Sequence, residues 1–118
     1  MPPKPIFKRG DVVLVLFPNS NLATAKTRPA LVVQRDSLNT GLPQIVLAMI
    51  SSHMVRAPHA SRITVLQSSP EGRQSSLLRD SIVMTDNLAT VSDSEIYRVI
   101  GSLPMAGVDN ALRHTLGL

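Results

Sequence analysis

Short apolar runs rich in β-branched residues recur along this chain, and polar turn residues cut each one off before it reaches helical length. No other feature constrains the fold as much, because runs of about four to eight such residues build strands rather than helices. Gly10-Asp11 opens "VVLVLF", and "PALVVQ" (29–34), "QIVLAMI" (44–50), "SRITVL" (61–66), "SIVMT" (81–85), "LATV" (88–91) and "YRVIGSL" (97–103) follow. Between them "PNSNLATAKT" (18–27) is small, polar and aperiodic and reads as a mobile loop. "DSLNTGLP" carries turn chemistry, and "QSSPEGRQSS" reads as a further loop. "SDSE" (92–95) has the Ser-x-x-Glu spacing of a capping box over a single turn. Only after Pro104, a suitable first helical residue, do Val108, Ala111, Leu112 and Thr115 fall on one face, with Gly117 as the stop. The expectation is a mainly β protein with a C-terminal α-helix: one unit over residues 1–118, a small, strongly bent sheet or barrel closed by that helix.

Of the 118 residues 43% are hydrophobic, enough to bury a core without disulfides or a structural metal. There is no cysteine, which removes thiol catalysis and zinc–thiolate sites and suits a cytoplasmic protein. The opening "MPPKPIFKRG" lacks the apolar stretch of a signal peptide and "VVLVLF" is too short to cross a bilayer, so no membrane partner is expected. The acids are scattered without ligand spacing, and no metal or other cofactor is expected. The distribution of charge says more than its total of +4. Residues 1–40 carry six Lys and Arg against Asp11 and Asp36, whereas residues 80–118 set Arg98 and Arg113 against five acids. Such a division fits a surface that meets a polyanion, and it equally fits ordinary solvated charge. With only Phe7, Phe17 and Tyr97 as aromatics, a base-stacking platform is not expected.

Arg28 precedes Pro29 at the mouth of an apolar run. Proline biases the residue before it toward extended geometry, so Arg28 is expected at a strand edge with its guanidinium projecting from the sheet. The planar fork of that group matches two phosphate oxygens at once; a surface ion pair is the plainer use of it. "SSH" (51–53) ends the third run, and strand alternation puts Ser51 and His53 on one face. If the two strands are neighbours, a phosphate fits between Arg28 and Ser51, although Ser51 could be only a turn hydroxyl. His53 could act as acid or base. His59, in a loop, and His114, on the helix, are weaker candidates. Serine-hydrolase chemistry lacks a Gly-x-Ser-x-Gly elbow.

Five blocks in register, "KRGDVVLVLFP", "KTRPALVVQRD", "VLAMISSH", "LLRDSIVMTDNLATV" and "RVIGSLPMAGVDNALRHTLGL", resemble the MazF/PemK toxin family from Lys8 to Leu118. The resemblance implies an SH3-like β-barrel of the CcdB/PemK type, homodimeric, acting as the toxin of a toxin–antitoxin pair. It implies metal-independent cleavage of single-stranded RNA by 2′-hydroxyl attack on the phosphodiester. Arg28 and Ser51 then take the catalytic positions, with Ser52, His53 and Lys26 as further catalytic or RNA-binding residues. The first loop, with Asn19, Ser20, Asn21, Thr24 and Thr27, covers the substrate and meets an acidic, partly disordered antitoxin segment. The sequence departs from the family in three places: His53 stands where Gln is common, Ala89 where Arg is frequent in the turn "DNLAT", and "HMVRAPHAS" is longer than usual. Two other functions share the family's fold: a CcdB-like toxin that inhibits gyrase and cuts nothing, and an inactive member that only binds an antitoxin.

Overall fold

A computed structural model describes residues 6–19 and 21–118 of the protein. Six strands form one antiparallel sheet: β1 (Asp11–Pro18), β2 (Ala25–Val32), β3 (Gln44–Ser51), β4 (Arg62–Val65), β5 (Ser81–Ser92) and β6 (Ile96–Ser102), in the order β4-β5-β3-β2-β1-β6. Two helices accompany it, α1 (Pro70–Ser75) and α2 (Ala106–Leu116). The fold is therefore mainly β with a C-terminal helix. The sheet does not close into a barrel, since among the described residues β4 and β6 remain its two edges. Covered edges replace closure: α2 packs over β4 and β5, and α1 lies against β6. The sheet still curls, because β1 and β5 come within 8 Å although two strands separate them.

Both faces of the central strands are buried, which is why their sequences read as continuous apolar runs rather than alternations. One face carries Val13, Val15, Phe17, Ala30, Leu47, Met49, Ile82 and Met84. The other carries Val12, Leu31, Ala48, Ile50 and Val83, and is capped by Leu77 and by Val108 of α2. Gly10 joins the lead to this frame at a φ of 94°, where its N–H donates to Val32 O and its carbonyl accepts from Leu103 N. No helix among the described residues is long and apolar enough to cross a membrane.

Four expectations are corrected. The first loop is shorter than 18–27, because Pro18 pairs with Ala25 and Phe17 with Lys26, so backbone pairing overrides the weak strand propensity of "AKT". "QSSPEGRQSS" contains α1, started by Pro70 at N1 and by the Ser69 side chain accepting from Gly72 N at 3.0 Å. "SIVMT" and "LATV" are one strand, and "DNLAT" is no turn. The β3–β5 register steps from Met49–Met84 to Ala48–Leu88, so residues 85–87 bulge within β5. Finally, α2 begins at Ala106 rather than Pro104; its expected face and its Gly117 stop, at a φ of 72°, are present.

Candidate active site

The β2–β3 ladder ends at Ala30–Met49, beyond which Pro29 brings no N–H to pair. Two residues further along each strand stand Arg28 and Ser51. Arg28 lies opposite Val15 in the β1 ladder, and Ser51 opposite Ile82 in the β5 ladder. Val15 and Ile82 belong to the same core face, so the two side chains leave the sheet on one side, where the strands part. Ser51 is 8% exposed, and its Oγ accepts the His53 N–H at 3.1 Å, which fixes the hydroxyl at the strand end.

An open groove of about 760 Å³ begins at this parting. Its walls hold Lys26, Thr27, Arg28, Ser51, Ser52 and His53, the end of α1 and the loop after it through Arg79, and Arg98 to Ile100 of β6. Four cationic side chains, Lys26, Arg28, Arg79 and Arg98, line it, and among the described residues no carboxylate does. A cleft walled by one sign of charge concentrates anions of the other.

The Arg28 guanidinium is half-buried. Its Nη2 donates to Asn19 Oδ1 at 2.7 Å and its Nη1 to Met49 Sδ at 3.2 Å, while Nε is buried without a partner. Asn19 belongs to the first loop, which is ordered by Asn21: the Asn21 Oδ1 accepts from Ala23 N at 3.0 Å and from Thr24 N at 3.3 Å. Of the expected lid residues, Thr27 lines the groove from β2; Asn19, Asn21 and Thr24 form the loop beside it without lining it, and Ser20 lies outside the described residues.

His59 and His114 are not groove residues. Their rings meet edge-on, 5.9 Å between centroids, and His59 Nδ1 lies 2.7 Å from Ser61 Oγ. The long "HMVRAPHAS" segment is one 3-10 turn over Met54–Arg56, with Met54 and Ala57 on the core. Ala89 pairs with Leu47 and packs on the first core, so no polar contact issues from it. Within the β5 bulge, a hydrogen bond from Arg62 holds the Asp86 carboxyl below the ordinary value, with Nη2 to Oδ2 at 2.8 Å. Arg79 and Arg98 were not among the site residues expected from sequence. Arg79 precedes β5 in "LLRDS" and Arg98 lies in the acid-rich last third, so neither stands in a cationic run; only the fold gathers them.

Comparison with known proteins agrees on one family. Residues 8–116 match the family described as PemK-like, MazF-like toxin of type II toxin–antitoxin system. The endoribonuclease MazF of Staphylococcus epidermidis is 26% identical over 117 residues, covering 96% of this chain and 93% of that protein. An endoribonuclease structure from a mycobacterial species aligns with a TM-score of 0.70 at 20% identity, covering 97% of this chain and 94% of the other. A mycobacterial endoribonuclease solved with its cognate antitoxin also aligns at 0.70 and 20% identity, over 95% and 96% of the two chains. At such identities the structural matches speak for the fold.

Proposed function

The chain belongs to the PemK-like, MazF-like toxins of type II toxin–antitoxin systems, and from that premise we propose that it cuts single-stranded RNA without a metal ion, with Arg28 and Ser51 gripping the scissile phosphate. What supports this reading is the cation-walled groove that both residues line, just past the end of the β2–β3 ladder.

The chemistry follows from where charge builds. The ribose 2′-oxygen bonds to its neighbouring phosphorus as the bond to the 5′-oxygen breaks, leaving a 2′,3′-cyclic phosphate and a 5′-hydroxyl. Negative charge grows on the nonbridging oxygens, and donors already in place stabilise it without reorganising. Arg28 supplies N–H donors and a permanent charge, and Ser51 a hydroxyl whose oxygen is already oriented by the His53 amide. The proton of the 2′-hydroxyl goes to the His53 imidazole, the histidine of the groove, since an arginine is too weakly acidic to serve as a base, and the departing 5′-oxygen takes a proton from water. Lys26, Arg79 and Arg98 hold flanking phosphates, and Ser52 lies at the groove wall as a secondary contact.

The partner that silences the toxin is an acidic, partly disordered antitoxin segment, which the same positive walls attract and the first loop contacts. The active assembly is a cytoplasmic homodimer. Incubating the purified protein with a mixed RNA pool and a chelator, then mapping the cut ends, tests the activity. Cyclic phosphate and 5′-hydroxyl ends are expected. Intact RNA together with blocked DNA supercoiling would transfer the chain to the gyrase-binding alternative.

A further inference from the structure

The Arg28 side chain has five N–H donors, and among the described residues two are engaged: one on Nη2 by Asn19 Oδ1 and one on Nη1 by Met49 Sδ. A thioether is a weak acceptor, so the short bond to Asn19 is the stronger of the two restraints. Asn19 is itself held at three atoms. Its Nδ2 donates to Thr24 Oγ1 at 2.8 Å, its N–H to Thr24 O at 2.9 Å, and its carbonyl accepts from Leu22 N at 2.9 Å. With Nδ2 committed to Thr24, the amide oxygen has to face Arg28. One further hydrogen remains on each of Nη1 and Nη2, so the guanidinium is restrained without being used up.

We propose that Asn19 is a positioning residue for Arg28: the amide of the first loop sets the angle at which the guanidinium meets the scissile phosphate, so the loop and the cation act as one unit. This rests on the reading of Arg28 as the phosphate-gripping residue. A donor aimed about 1 Å off its target loses most of its benefit, and loss of this one bond releases the long side chain into several rotamers. Asn19 acts through Arg28 alone, since it does not itself line the groove.

The test uses a single-stranded RNA oligonucleotide carrying the mapped cleavage site, with the full chain. Asn19→Ala is expected to lower kcat about tenfold while KM moves less than about twofold, because aim is lost and charge is retained. Asn19→Asp keeps the acceptor and is expected to hold kcat within about threefold of the native enzyme. In an Arg28→Lys background, which has no guanidinium to aim, Asn19→Ala is expected to cost less than about twofold. The side-chain 15N signals of Arg28, separate while its Nη groups are held, are expected to merge in Asn19→Ala with the backbone amide spectrum unchanged. A native rate in Asn19→Ala, an equal loss in both backgrounds, or Asn19→Asp falling as far as Asn19→Ala overturns the role of Asn19 alone. A native rate in Arg28→Lys and Arg28→Ala would instead overturn the catalytic reading on which it rests.

Discussion

Ser51 has a neighbour of the same chemistry, which gives the groove an internal control. Both hydroxyls lie along it, but Ser51 is buried at the strand end with its oxygen held by the His53 amide, whereas Ser52 is exposed. A donor lost from the reacting centre typically costs about 3 kcal/mol, or roughly 100-fold in rate. Single-turnover cleavage is therefore expected to fall about 100-fold in Ser51→Ala, to recover most of that in Ser51→Thr, and to change less than about threefold in Ser52→Ala. Equal losses in the two alanine variants would remove Ser51 from the centre. A second residue-scale expectation concerns Asp86, whose carboxyl is held below its ordinary value of 3.8 by the Arg62 hydrogen bond. As pH falls, the unfolded chain takes up this proton first, so the pair's contribution is whole above 3.8 and fades as pH drops from there through the lower folded value. Water screens a pair this exposed, and the effect is small. In urea titrations the gap between the native protein and Asp86→Asn is expected at neutral pH and to close in acid; a gap that widened in acid would contradict the assignment.

Among the elements, α1 and β6 approach each other backbone to backbone. A Cβ on Gly101 would strike the carbonyl oxygens of Gln74 and Ser75 at the end of α1, and one on Gly72 would meet those of Leu66 and Gln67. Backbone cannot yield as a side chain does, so Gly101→Ala is expected to destabilise by about 1–3 kcal/mol, read as a lower urea midpoint at unchanged slope. An unmoved midpoint would mean that α1 does not rest on β6. This contact also explains which parts of the molecule were readable from the sequence. β1, β3 and the second half of β2 announce themselves because both faces are buried there and the runs are almost wholly apolar. The α2 face is equally plain, since a helix with one buried side repeats its apolar positions. By contrast α1 is a single turn or two with only Gly72 and Ser75 buried, leaving no apolar period to read, and its signal was the Ser69–Pro70 start. The β5 bulge was invisible for another reason: it follows from how β3 and β5 align, and neither strand states that alone. Arg28 and Ser51 could be paired in advance because each sits at the end of an apolar run; Asn19's hydrogen bond to Arg28 depends on the closing of a loop whose residues carry no pattern.

On the scale of the whole molecule, the basic first third and acidic last third of the sequence do not become two poles. Arg9 from the basic third is spent internally, its backbone N–H on Asp36 and its side chain on Val33 O and Asp109. Arg98 from the acidic third joins Lys26, Arg28 and Arg79 in the groove. Affinity for RNA should thus depend on these four and not on net charge. Each single-strand phosphate neutralised contributes a slope of about −0.7 in log K against log salt. With a non-cleavable 2′-O-methyl RNA, Arg79→Ala and Arg98→Ala are each expected to reduce the slope by about 0.7 and to weaken binding most at low salt. Arg113→Ala is the matched control: it removes the same charge from the exposed side of α2, where Nη1 donates to Asn110 Oδ1, and the slope should hold. A slope that fell equally in all three variants would show RNA responding to the overall charge of the protein, and the groove would then have no special claim on the substrate.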